Sequence, residues 1–307
     1  MKKMLLILNP NAGLRQARRL LPEMIARFTD AGYLCTVMIT EKRGDAVGFA
    51  ADLAGDFDTV VTCGGDGTLN ETITGLMRGG HTTLLGYIPC GSTNDFAASL
   101  GYGKDLMQNC DVIAEGTART LDIGCYNGER YFSYTASFGA FTSASYTTPQ
   151  DVKNVLGHAA YILEGIRSLP EIRPVHMRFT VDGEEHEDDW LFGAVCNSTS
   201  LGGVLKLDAA DVDMNDGMFE MLMVRNPKDI LELNRILSSL AAKKHDDPLL
   251  CFYRGKEFRF MGDPEMKWTL DGEAADGGEE ITVRNIPGAI RLICPAGSAG
   301  GGAAHEP

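Results

Sequence analysis

TVVTCGGDGTLNE, residues Thr59 to Glu71, decides the reading of this chain. Thr59–Cys63 is β-branched and apolar without polar alternation, the pattern of a strand buried on both faces. Gly64, Gly65 and Gly67 interrupt it, and Leu69–Met77 resumes with helical spacing. A strand that runs through a glycine turn into a helix aims backbone N–H groups at one spot, and such a spot favours a phosphate. Asp66 sits among those glycines and repels an anion, so it points to a magnesium ion or to an ordered network of donors. Taken as structure alone, the same residues make a tight turn.

Working outward, the first third of the chain alternates in the same way. Met4–Leu8, Cys35–Ile39 and Leu84–Ile88 read as further apolar strands, and Leu20–Phe28, Ala46–Ala54 and a segment from about Thr93 read as helices. The expected fold is therefore α/β over 1–122, a parallel sheet covered on both faces, with ligands at the carboxyl ends of its strands. Two more polar loops fall at such ends, Asn9-Pro10-Asn11-Ala12-Gly13 and Pro89-Cys90-Gly91-Ser92-Thr93-Asn94-Asp95. Neither a GxxxxGK[ST] loop nor a GxGxxG fingerprint is present, so a nucleotide needs a different glycine arrangement.

Beyond about Thr120 the pattern changes to short aromatic and β-branched runs such as Tyr131–Tyr134 and Val175–Val181, with Asn127-Gly128 and Asp182-Gly183 as hairpin turns. Helical stretches at Val152–Ser168 and Lys228–Ala242 interrupt them. A mainly antiparallel β-rich, sandwich-like domain is expected over 123–287, and the Gly/Ala-rich segment 296–307 is expected to be disordered.

The bulk properties narrow the function. A formal net charge of -14 disfavours nucleic acid as the main partner. No apolar run reaches the roughly 18–20 residues that span a bilayer, and Met4–Leu8 reads as a buried strand, not as a signal peptide. Arg15, Arg18, Arg19, Arg27, Lys42 and Arg43 form a local basic set that suits phosphates or lipid headgroups, or simply a solvated helix face. The eight cysteines are widely spaced with no CxxC pair, which suits small buried hydrophobes in a reducing cytosol.

GGDGTLNE after a strand, with NPNAG before it and PCGSTNDFA after it, resembles the diacylglycerol kinase catalytic-domain family, which includes soluble bacterial lipid kinases and the related sphingosine and ceramide kinases. GGDGT alone is shared with NAD kinases; the ordered set of three is more specific. The resemblance extends over nearly the whole chain before the tail. It implies a nucleotide domain followed by a lipid-binding domain, with a last strand near 288–295 returning to the first. By this resemblance ATP contacts Asn9, Pro10, Asn11, Ala12 and Gly13, Thr40, then Gly64, Gly65, Asp66, Gly67, Thr68, Leu69, Asn70 and Glu71, and finally Gly91, Ser92 and Asn94. Asp66, Asp95 and Asp122 match acidic positions that the family uses around the phosphates, the substrate and the domain junction. Ala12 and Ser92 depart from a usual Ser and Thr.

Two sites in the second part follow from the same likeness. Asp271-Gly272-Glu273 reads by itself as an Asp-Gly turn, but in similar bacterial enzymes the Glu of this motif is the general base, which makes Glu273 and its neighbour Asp271 catalytic candidates. Asp213, Asp216 and the carbonyl of Met218 match a structural magnesium site, against the plainer reading of an acidic surface turn. An EF-hand is excluded, because the glycine comes late and Leu222 stands where Glu is required.

The implied activity is ATP- and Mg2+-dependent phosphorylation of a lipid hydroxyl, with diacylglycerol as the default. Alternatives are another hydroxyl lipid such as phosphatidylglycerol or a sphingoid base, then NAD, then a non-catalytic nucleotide- or lipid-binding protein. The apolar stretches 138–141 and 155–166 suit an acyl cleft or ordinary core. A cytoplasmic enzyme that touches the inner membrane face peripherally, as a homodimer like many family members, completes the expectation.

Overall fold

The computed structural model describes residues 1–91, 94–139, 174–198, 200–201, 205–206, 213–241 and 247–296. Ser92, the expected helix at 152–168, the apolar stretch 155–166 and the tail from 297 lie outside these residues.

In chain order the elements are β1 (Lys2–Leu8), α1 (Gln16–Asp30), β2 (Tyr33–Ile39), α2 (Asp45–Leu53), β3 (Thr59–Gly64), α3 (Asp66–Gly79), β4 (Leu84–Pro89), α4 (Asp95–Ser99), α5 (Leu106–Glu115), β5 (Thr117–Tyr126), β6 (Arg130–Phe132) and β7 (Thr135–Gly139). After them come β8 (Val175–Val181), β9 (Glu184–Cys196), β10 (Ser200–Leu201), β11 (Leu205–Lys206), β12 (Phe219–Arg225), α6 (Ile230–Ala241), β13 (Leu250–Gly255), β14 (Glu257–Met261), β15 (Trp268–Leu270), β16 (Glu273–Ala275) and β17 (Glu280–Cys294). The chain forms two compact units: 1–123 with 213–216 and 286 onward, and 124–212 with 217–285.

In the first unit β1 lies between β2 and β3, β4 lies beyond β3, and all four run parallel. The end of β17 joins β4, also parallel, at Leu292 opposite Leu85. Met4, Leu6 and Leu8 of β1 pack with Met24 and Phe28 of α1 and with Cys110 and Ile113 of α5. The intervening Leu5 and Ile7 are equally buried, which requires cover on the other face. This is why the strands read as continuous apolar runs. α3 turns Thr68, Leu69, Thr72, Ile73 and Leu76 inward and ends where Gly80 adopts a left-handed conformation and donates back to Leu76 and Met77. α5 starts where the Asp105 carboxylate accepts the N–H groups of Met107 and Gln108.

The second unit is antiparallel. The long strand β9 pairs along its first half with β8 and along its second half with β7 and β12. A register shift at Val224–Arg225 falls where β9 passes from one set of partners to the other. β14 joins β8 to the first part of β17, while β15 and β16 extend the sheet beyond β7. The core is aromatic: the ring centroids of Phe138 and Phe260 lie 4.8 and 5.0 Å from that of Trp268, and Phe179 packs on Trp190. Burying each such side chain contributes about 1.5–3 kcal/mol. Asp182-Gly183 makes the tight β8–β9 turn with positive φ at both residues, and Asn127-Gly128 turns β5 into β6. An α/β nucleotide-type unit and an antiparallel β-rich unit are thus both present, as the composition of the two parts implies.

Candidate active site

Strand order β4–β3–β1–β2 places the loops after β1 and β3 on either side of the point where the chain reverses its direction of progress through the sheet. Open parallel sheets gather ligands at such a crevice. The Asn9 N–H donates to Cys63 O at 2.9 Å, which joins the end of β1 to the end of β3. The Asn9 side chain then works in both directions, donating from Nδ2 to Thr68 Oγ1 at 3.1 Å and accepting the Asn11 N–H at 3.0 Å.

The third loop is tied to the second by Asp66. As the first residue of α3 it accepts the Asp95 N–H on Oδ2 at 3.0 Å. Asn94, with φ of 53°, accepts the Gly91 N–H at 2.9 Å and donates to Gly91 O at 2.8 Å, closing the loop on itself. Tyr87, buried in β4, reaches toward Asp66 at 3.5 Å and Asn94 at 3.4 Å. Burial, and then the Asp66 charge, push its phenol well above the ordinary range, so it stays a donor. Tyr87 was missed by motif reading. The available signal was a hydroxyl on an otherwise apolar buried strand.

The glycines allow these backbones to meet. A Cβ on Gly91 would lie 2.7 Å from Gly65 Cα, and one on Gly13 would lie 2.3 Å from Cys90 O. Gly65 is also the N-cap of α3 and offers no side-chain cap to its first turn, which leaves that end of the helix suited to an anion. Pro10, Ala12, Gly67 and Asn70 are half-buried on the same loops, and Gly64 is buried. Leu69 is wholly buried, so only its backbone serves the loop. Thr40 turns its hydroxyl to Leu8 O at 3.4 Å, and Glu71 accepts the Gly44 N–H at 2.9 Å, tying α3 to the start of α2. The thiols of Cys63 and Cys90 touch at 3.8 Å beneath the loops; this contact, and then burial, raise the Cys63 pKa and keep it an inert hydrophobe.

Asp122 is fully buried in β5. Its carboxylate accepts the Gly288 N–H at 2.8 Å, and its own N–H donates to Met214 O at 2.9 Å. It braces three segments of the first unit. On the acidic loop Asp213 accepts the Asn215 N–H at 3.1 Å. In the second unit the Met218 carbonyl accepts Asn285 Nδ2 at 3.2 Å. Among the described residues no group of three or more His, Cys, Asp or Glu side chains is arranged to hold a metal.

Also in the second unit, Asp271-Gly272 forms the two-residue turn between β15 and β16, with φ of 49° and 82°. The Asp271 carboxylate is buried and accepts three successive backbone N–H groups, from Ser133 at 2.5 Å and from Tyr134 and Thr135 at 3.0 Å each. It clamps the entry to β7 against the hairpin. Glu273, half-buried and opposite Leu270, is the first residue of β16. The two acids of the motif therefore differ: one is committed to the backbone, and the other projects from a hairpin that the first one fixes.

Comparison with known proteins matches the two parts of the chain separately. A diacylglycerol kinase catalytic domain model matches residues 3–126, and the YegS C-terminal NAD kinase beta sandwich-like domain model matches residues 136–294. A diacylglycerol kinase of Bacillus subtilis (strain 168) is 34% identical over 276 residues, 89% of this chain and 90% of that protein. One from Staphylococcus aureus (strain MRSA252) is 33% identical over 275 residues, 89% of this chain and 86% of that one. A crystal structure of a diacylglycerol kinase from Bacillus anthracis superposes with a TM-score of 0.73 at 20% identity, covering 96% of this chain and 97% of the other, a likeness of fold.

Proposed function

The chain belongs to the diacylglycerol kinase family and is a lipid kinase, and from that premise we propose that it transfers the γ-phosphate of ATP to the free hydroxyl of diacylglycerol, giving phosphatidic acid. The observation that carries the nucleotide part is the trio of loops after β1, β3 and β4, knitted by Asn9–Thr68, Asp66–Asp95 and Asn94–Gly91 with glycine backbones in mutual contact. A cradle of backbone N–H groups with almost no side-chain bulk suits a triphosphate. ATP contacts are assigned to Asn9–Gly13, Thr40, Gly64–Glu71, Gly91, Ser92 and Asn94.

In this reading Glu273 takes the proton of the lipid hydroxyl as that oxygen attacks the γ-phosphorus, and the bond from that phosphorus to the β-phosphate bridging oxygen breaks. Asp271 holds the hairpin that presents Glu273 and acts on position, since its oxygens already serve three N–H groups. Asp66, Asp95 and Asp122 fix the loops and the returning strand. Magnesium would supply charge neutralisation on the phosphates. The carboxylates of Asp213 and Asp216 are oxygen donors of the type a hard cation takes, and a structural magnesium there is part of the proposal. No helix among the described residues is long and apolar enough to cross a membrane. Peripheral contact with a cytoplasmic membrane face is part of the proposal.

The test is product identification. Diacylglycerol in mixed micelles with ATP and magnesium should yield phosphatidic acid and ADP in equal amounts. ADP without phosphorylated lipid would remove the assigned acceptor.

A further inference from the structure

The strand that carries Glu273 is short and paired on one side. Among the described residues β16 has three residues and pairs with β15 alone, Glu273 opposite Leu270, Ala274 opposite Thr269 and Ala275 opposite Trp268. The two-residue turn makes Leu270 and Glu273 a hydrogen-bonded pair, so the backbone groups of Ala274 and Asp276 face away from β15. Side chains take both of these outward carbonyls. Arg130 donates from Nη1 to Ala274 O at 3.1 Å, and the Tyr126 hydroxyl donates to Asp276 O at 2.7 Å. Tyr126 and Arg130 stand directly opposite one another where β5 turns into β6, and such cross-strand partners project from one face. We propose that Arg130 is a positioning residue for phosphoryl transfer: with Tyr126 it latches the outer edge of β16 and fixes the strand from which Glu273 reaches the lipid hydroxyl. The proposal rests on the reading of Glu273 as the general base.

The latch is itself anchored. Asn127, in the turn between the two donors, gives its N–H to Thr282 O and accepts the Thr282 N–H on Oδ1, at 2.8 Å each, which bolts the turn to β17. Tyr126 is buried, with its ring centroid 5.6 Å from that of Trp268 in β15. Burial pushes its phenol well above the ordinary range, so the hydroxyl stays a donor. A few residues further on, the same segment supplies the Ser133, Tyr134 and Thr135 N–H groups to Asp271. One stretch of chain, 126–135, therefore holds the β15–β16 hairpin both at its turn and along its outer edge. A three-residue strand with one neighbour frays when its free edge is released, because few backbone bonds oppose local opening. Asp271 fixes the turn before Glu273, and Arg130 and Tyr126 fix the residues after it. Displacing a base by about 1 Å can cost about a hundredfold in rate. The glycine loops belong to the first unit and share none of these contacts, so the loss falls on turnover and not on nucleotide binding.

Steady-state phosphorylation of diacylglycerol in mixed micelles by the full chain tests this. Arg130→Met keeps the apolar stem and removes the donor; kcat should fall by about tenfold or more, with the KM for ATP within about twofold of the wild type. Arg130→Lys restores a cationic donor and should recover most of the loss. Tyr126→Phe keeps the ring against Trp268 and removes only the hydroxyl; it should lower kcat in the same way, and it carries the test if Arg130→Met does not fold. Urea unfolding followed by tryptophan fluorescence verifies that each variant is folded under assay conditions. A purely structural residue fails the next step. In a Glu273→Gln background, Arg130→Met should change the residual turnover by less than about twofold, because no base is left to place. An unchanged kcat in folded Arg130→Met, no recovery in Arg130→Lys, or a full penalty that persists in the Glu273→Gln background would each overturn the proposal. Full turnover in Glu273→Gln alone would remove the base itself, and the positioning role with it, so that single variant tells the two failures apart.

Discussion

Replacing Asp271 by Asn should separate the two acids of the Asp271-Gly272-Glu273 turn. The Asp271 Oδ1 atom takes the N–H groups of Tyr134 and Thr135, and Oδ2 takes that of Ser133. Asparagine keeps a carbonyl for the first pair but turns an NH2 toward the Ser133 N–H. One charge-assisted bond is lost, and a buried N–H is left facing another donor, a cost of about 3 kcal/mol. At about 2–4 °C per kcal/mol for a unit of this size, the melting temperature should fall by about 6–12 °C. The assay is direct, because both tryptophans of the chain, Trp190 and Trp268, are buried in the core of the second unit. Urea unfolding followed by tryptophan fluorescence therefore reports on the part that Asp271 holds. Glu273→Gln, at a half-buried position on the hairpin, should leave that transition in place, lower kcat by about a hundredfold or more and keep ATP affinity within about twofold. An Asp271→Asn transition unchanged to within about 0.5 kcal/mol would refute the clamp. A Glu273→Gln variant that loses ATP affinity in step with turnover would refute the base.

Gly91→Ala drives a Cβ to 2.7 Å from Gly65 Cα, so the second and third loops must separate; ATP affinity by calorimetry should fall at least about tenfold, and unchanged affinity would show that the loop contact is dispensable. His176 bonds Asp189 and Glu187, which raises its pKa above the ordinary value of about 6.5, so the stability from these bonds is complete below that value and is lost as pH rises through the higher folded one. An NMR titration should find its midpoint above 6.5, and one at or below it would contradict the pairing. If Asp213 and Asp216 hold magnesium, EDTA should lower the melting temperature of the wild type and leave that of Asp213→Asn unmoved, whereas equal responses would remove the metal.

The first unit was legible because its physics is local. Strands buried on both faces read as apolar runs, and the glycines that let Gly65 meet Gly91 stand out among them. α5 is missing from the sequence reading, and the signal that starts it is a single residue, the Asp105 cap that accepts the N–H groups of Met107 and Gln108. The last strand is expected, from the resemblance, only near 288–295, although β17 begins at Glu280, since Pro287 and Gly288 break the alternation in the middle. The DGE turn could be read as a plain hairpin or as a catalytic motif. It is a hairpin with a second function for its aspartate, because the three N–H groups that Asp271 accepts come from residues about 136 positions earlier. No window of sequence shows that. The same limit applies to Asp66, whose partner is a backbone amide 29 residues away.

The central claim is phosphoryl transfer from ATP to a lipid hydroxyl, and its most direct test is the fate of a labelled γ-phosphate offered to diacylglycerol, phosphatidylglycerol, sphingosine and ceramide in mixed micelles, with NAD as a soluble control. Label on diacylglycerol, and none after Glu273→Gln, is the predicted result. Label on NAD, or on no acceptor while ATP still binds, would contradict it.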